Sequence, residues 1–253
     1  MSGGDLLVVG LGAILGGAVN ALAGGGTLIT FPILTAVGVP AVAANVTNTI
    51  ALCPGYLGAT FAQMKELRGQ WSRLWLLLPI SLIGGIGGGV LLLNTNDQVF
   101  RRLVPFLILM AVVLLAFQDR MRAWVMSRAG RHDGAVLHKG WSILPIIPAA
   151  IYGGYFGAGL SVIVLAVLGL VVEESFTRLN ALKQAISFSI NIAAAIFFLF
   201  SGKVVWSAAA VMAVCALAGG VMGGRLAGWI KPLTLRRIVL VTGTIVAVIF
   251  FVR

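Results

Sequence analysis

Long uncharged stretches alternate with short basic ones along the chain. Apolar runs cover residues 6–23, 27–39, 50–62, 74–93, 103–117, 143–156, 160–172, 185–200, 204–224 and 238–252. Crossing a hydrocarbon core of about 30 Å takes roughly 20 residues of helix. Several runs reach that length once uncharged polar neighbours are joined to them, whereas 27–39 and 160–172 are too short. The pattern predicts an all-α polytopic membrane protein.

The same pattern occurs twice. Shifting the sequence by 135 residues places Gly24 on Gly159, Asn45 on Asn180, Trp71 and Ser72 on Trp206 and Ser207, and Arg101 and Arg102 on Arg236 and Arg237. Gly84, Gly85, Gly88 and Gly89 fall on Gly219, Gly220, Gly223 and Gly224 in the same register. Internal repeats of this kind are a transporter device. The expected organisation is a first transmembrane repeat over 1–117, a basic cytoplasmic linker over 118–140 and a second transmembrane repeat over 141–253. In each repeat two short segments meet at a glycine cluster and three longer segments follow. The short pair is either a hairpin or one broken helix that crosses once. With hairpins, the repeats are inverted and 13 Lys/Arg lie inside against 4 outside; with single crossings the split is 10 to 7. The excess of Lys/Arg in cytoplasmic loops favours hairpins and inverted topology.

Composition sharpens this picture. Hydrophobic residues make up 60% of the chain and charged residues 10%, against about 25% charged in soluble domains. The net charge of +11 sits in short loops between apolar runs, so it reflects topology and excludes nucleic acid as a partner. Cys53 and Cys215 each lie within an apolar run and read as small core hydrophobes. His132 and His138 both fall in the basic linker and form no ligand set. Metal, nucleophile and phosphate-loop motifs are lacking, so no enzyme and no cofactor is expected. The seven carboxylates lie at segment ends or in loops, which gives no support to a buried proton relay.

Polar groups inside apolar segments are costly there and mark candidate function. Gly24, Gly25, Gly26 and Thr27 break the first short pair, and Gly157, Gly159 and Ser161 break the second. A half-helix starting at such a break aims its free N–H groups at an anion. Asn45, Thr47, Asn48 and Thr49 open one membrane segment, and Asn180, Lys183 and Gln184 open its repeat counterpart. Asn45 shares a helix face with Asn48 and Thr49, as Asn180 does with Lys183 and Gln184. N-capping and interfacial solvation are the alternative role for these groups. Asn20 and Tyr155 are repeat-related and precede the breaks. Lys183 is the cation best placed for an anionic substrate. Asn191 reads as a mid-segment amide, Arg225 as a snorkelling cation, and Trp71, Trp75, Trp206 and Trp229 as an interfacial belt.

The stretch over 16–40, GGAVNALAGGGTLITFPILTAVGVP, followed by Ala44 to Thr49, resembles the first-repeat signature of the sulfite exporter TauE/SafE family. Arg178-Leu179-Asn180-Ala181-Leu182-Lys183, with Asn191 downstream, resembles its second signature. The resemblance covers nearly the whole chain. It implies a multi-pass transporter of the bacterial inner membrane, often an exporter, for sulfite, sulfoacetate and related sulfonates. By this match residues 24–27 and 45–49, with Asn180 and Lys183, become site candidates. The second break departs from the first by having Gly157-Ala158-Gly159. Alternating access around these residues is the leading expectation, with an anion channel or a membrane assembly factor as alternatives. Expected partners are a small anion and the lipid bilayer, with a homodimer allowed for.

Overall fold

The computed structural model describes all residues except 23–24, 129–143, 173, 227–231 and 253. The expected site residue Gly24 lies outside the described residues, as do His132, His138, Trp229 and most of the expected linker. The described residues form ten α-helices and one 3-10 turn, without strands among them. The helices are α1 (Gly3–Leu22), α2 (Thr27–Ala36), α3 (Ala41–Ala62), α4 (Trp71–Asn94), α5 (Asp97–Arg128), α6 (Ile146–Tyr155), α7 (Leu160–Val171), α8 (Phe176–Leu199), α9 (Trp206–Leu226) and α10 (Pro232–Val252). The stretch expected as a linker from 118 begins as the last turns of α5.

Four of these helices are long and apolar enough to cross a membrane: α1, α4, α5 and α8. Their outward faces are apolar. Leu7, Leu11 and Leu15, four residues apart on one face of α1, are all exposed, as are Ile83, Val90 and Leu91 on α4. Such a surface is solvated by lipid rather than water. The protein is an all-α polytopic membrane protein. α8 is the most enclosed of the four, with 61% of its apolar window buried against 39% in each of the others.

The short pairs lie side by side. Gly12 of α1 packs on Ile33 of α2, and Gly16 packs on Thr30 and Gly26, so the two helices run antiparallel as a hairpin. The members are unequal, however. α1 has 20 residues, a length of about 30 Å, whereas α2 has 10 and spans about 15 Å. Only α2 is short in the first pair; α6 and α7 have 10 and 12 residues. The breaks are built on glycine for a steric reason. Gly157 and Gly159 have φ of +73° and +74°, a left-handed backbone that costs an L side chain roughly 1–2 kcal/mol.

Helix starts recur at the sequence offset: Ala41 and Phe176, Trp71 and Trp206, and Asp97 and Pro232 are each 135 residues apart. The packing follows the same exchange. α1 packs on α9 as α6 packs on α4, and α3 contacts α9 as α8 contacts α4. α3 also meets α8, and α5 meets α10. Both pairs are antiparallel. Gln63, just after α3, bonds Asn180 near the start of α8, and Thr47 near the start of α3 bonds Val205 just after α8. Gly243 meets Val112, and Phe251 meets Phe106, along α10 and α5. The α1–α9 and α4–α6 seams are made of small residues. A Cβ on Gly17 would collide with the Ala216 backbone, and one on Gly154 with the Gly85 backbone. Close backbone approach gives dispersion contacts that lipid cannot match, which is what holds helices together in a bilayer.

Candidate functional site

The two polar clusters that open α3 and α8 have different fates. In α3 the groups bind one another and seal the interior. Thr27, Thr30, Asn45, Thr47, Asn48 and Thr49 are all buried. Asn48 accepts from the Thr30 hydroxyl and donates Nδ2 to Thr27 Oγ1 at 3.3 Å, which ties α3 to the first turn of α2. Thr49 donates to the Asn45 carbonyl at 2.9 Å, and Thr47 Oγ1 accepts the Val205 N–H at 3.0 Å. Asn45 Nδ2 donates to the Tyr155 carbonyl at 2.8 Å, so α3 is latched to the last residue of α6. Around this end Phe31 meets Phe156 and Phe100 edge-on, with centroids 5.4 and 6.3 Å apart. Tyr155 packs on Phe100, and its hydroxyl lies 3.4 Å from Thr95 Oγ1. Gly25, at φ +103° and against Leu115 of α5, and Gly26, the residue before α2, belong to the first break.

In α8 the polar groups lead to a cavity instead. A cavity of about 390 Å³ opens at the far end of α3. Its polar walls are Asn20 of α1, Gln63 after α3, Ser161 in the first turn of α7 and Gln184 of α8. The rest of the wall is largely glycine, alanine and leucine from α1, α3 and α9, together with Tyr56. Asn20 lies near the end of α1, before the first break, and Ser161 lies in the first turn of α7, after the second. Lys183 Nζ donates to Asn180 Oδ1 at 2.7 Å, and Asn180 Nδ2 donates to Gln63 Oε1 at 2.7 Å. The cation is thereby connected to the cavity wall through two amides. Nearby, Glu174 bridges Arg73 of α4 and Arg178 of α8, fixing the entry to α8.

A larger cavity of about 630 Å³ lies at the other end of α2. Its wall is apolar apart from Thr35, Asp97 and Arg101. The Asp97 carboxylate already accepts the Val42 N–H at the start of α3 at 2.9 Å, so it serves as a helix cap. None of the repeat-related amides reaches this space, and the smaller cavity is the better candidate for a polar ligand.

Asn20, Ser161 and Gln184 line the cavity, with Asn180 and Lys183 directly behind it. Asn45, Thr47, Asn48, Thr49 and Thr27 stand apart, in the sealed end. Gln63 and Tyr56 were not among the expected site residues. Gln63 closes an apolar run next to a basic loop, so in the sequence it reads as an interfacial polar residue. Only the antiparallel approach of α8 gives it a role.

Comparison with known proteins agrees with this architecture. A chain from Haemophilus influenzae described as "Probable membrane transporter protein" is 26% identical over 208 residues, covering 82% of this chain and 78% of that one. "Probable membrane transporter protein YfcA" of Escherichia coli (strain K12) is 26% identical over 216 residues, covering 85% of this chain and 77% of its own. These names point to transport rather than catalysis. The family model described as "Sulfite exporter TauE/SafE" matches residues 9–250, nearly the full length. With a lipid-facing apolar surface, paired short helices and a cavity that presents three amides and a serine hydroxyl, the chain belongs to the sulfite exporter TauE/SafE family of membrane transporters.

Proposed function

We propose that this protein exports small sulfur-containing anions, such as sulfite or organosulfonates, across the bacterial inner membrane by alternating access. The observation that carries the reading is the cavity lined by α1, α3, α7, α8 and α9, with Lys183 linked to its wall through Asn180 and Gln63. Amide and hydroxyl groups offer hydrogen bonds to anionic oxygens, and a nearby cation offsets their charge. The family description names sulfite, which supports the substrate class.

Two inverted repeats are the mechanical basis. The antiparallel pairing of α3 with α8 and of α5 with α10 supports inversion, since each pair consists of repeat-equivalent helices. Equivalent residues are also in unlike states. Asn45 is latched to the Tyr155 carbonyl, while Asn180, its counterpart, bonds Gln63 beside an open cavity. In an inverted repeat the opposite assignment describes the other access state. Asn180 would then latch to Asn20, the counterpart of Tyr155, and the Asn45 end would open.

Reconstituted protein should take up sulfite or methanesulfonate with saturation, and opposing substrate should accelerate the flux. Flux that rises linearly with concentration and ignores opposing substrate would make it a channel and refute alternating access.

A further inference from the structure

The proton arithmetic of the chain from Lys183 to the cavity fixes the orientation of every amide in it. A lysine ammonium has three donors and no acceptor. The atom of Asn180 that lies 2.7 Å from Nζ must therefore be its carbonyl oxygen. The Asn180 amide nitrogen is then turned toward Gln63, and the Gln63 atom 2.7 Å away must be an acceptor, Oε1. This leaves Gln63 Nε2, with two N–H groups, for the cavity that Gln63 lines. Oxygen and nitrogen of an amide are otherwise interchangeable in such a network. Here a single charged end removes the ambiguity, and hydrogen bonds in series polarise one another.

Resting on the anion-transport reading above, we propose that Gln63 is the residue that reads the substrate, as an obligate hydrogen-bond donor to an anionic oxygen. Lys183 is a positioning residue that acts through Asn180. The repeat-related positions carry no equivalent device. Asn48 stands in the place of Lys183 and Phe198 in the place of Gln63, so selectivity resides on one side of the pseudo-symmetric pair. A group that presents only donors accepts sulfite or a sulfonate and rejects a ligand that offers an ammonium or a hydroxyl hydrogen at that point.

The test is initial-rate uptake of sulfite and methanesulfonate by proteoliposomes of the full chain. Gln63→Leu and Lys183→Met should each raise KM about tenfold or more while leaving the maximal rate largely intact. The double variant should be no worse than either single one, because both remove the same device. Lys183→Arg, also donor-only, should restore a low KM, which a merely structural lysine would not require. Gln63→Glu, matched in size, should abolish uptake by turning a donor into a negative acceptor, and it carries the test if the leucine variant does not fold. If the unmodified protein transports and the Gln63→Leu and Gln63→Glu variants keep its KM, the role of Gln63 is overturned and the transport reading stands. If the unmodified protein shows no saturable uptake of either anion, both fall.

Discussion

Replacing Asn45 with alanine isolates the latch at the sealed end. Asn45 is fully buried, and its Nδ2 donates to the Tyr155 carbonyl at 2.8 Å. That carbonyl belongs to the last residue of α6, so it has no partner within its own helix. Asn45 Oδ1 is buried with no hydrogen-bond partner among the described residues. The substitution thus has two opposed effects. It strands a carbonyl, which is unfavourable, and it deletes an unsatisfied oxygen, which is favourable. Interhelical hydrogen bonds in membrane proteins average about 0.6 kcal/mol and reach about 1.7 kcal/mol. With the two effects partly offsetting, the latch contributes about 1 kcal/mol, which under the proposed alternating access is roughly a fivefold change in the ratio of the two access states. The fivefold change is best read in the minor state, whose population scales with that ratio. Ala193 is the repeat counterpart of the cavity-lining Gly58 and is buried at 5% exposure. A cysteine placed there, with Cys53 and Cys215 replaced by alanine, reports opening of the sealed end. The proposed inverted topology puts Arg101, Arg102 and Lys203, and with them this end, outside, so labelling of Ala193→Cys by a membrane-impermeant maleimide applied from outside intact cells should accelerate about fivefold on adding Asn45→Ala. An unchanged labelling rate in a variant of normal thermal stability would refute the latch.

Two stability predictions come from the packing. Gly154→Ala drives a methyl group into the Gly85 backbone and should destabilise by about 1–3 kcal/mol, whereas Gly87→Ala, whose Cβ meets nothing within 4 Å, should not; equal melting temperatures in detergent would contradict the seam. Glu174→Gln removes the carboxylate shared by Arg73 and Arg178. Because Arg73 is 41% exposed, the loss should stay below about 1 kcal/mol and shrink in high salt; a variant that fails to fold would show that the entry to α8 depends on this pair.

Much of the architecture was legible in the chain. Apolar length gave the membrane helices, because a bilayer leaves the backbone few options besides helix. The 135-residue register placed the starts of α3, α4 and α5 on those of α8, α9 and α10. Glycine clusters marked the breaks, since a left-handed backbone at Gly157 and Gly159 excludes most other residues. One length was misread: α1 is a 20-residue helix, not a short one, because its glycines pack against neighbours instead of ending it.

The division of labour between Asn45 and Asn180 was not legible, although the two occupy the same place in the repeat. Sequence specifies which side chains share a helix face, and so it grouped Asn180 with Lys183 and Gln184 correctly. It does not specify which face of which helix lies opposite. Asn45 meets a helix-end carbonyl and is spent on packing, while Asn180 meets Gln63 and joins a lysine to a cavity. That difference comes from which element packs opposite each residue, α6 opposite Asn45 and the end of α3 opposite Asn180, the latter a contact between residues 117 positions apart. The local chemistry of each helix was written in the chain; the choice of partner arose only when the helices packed.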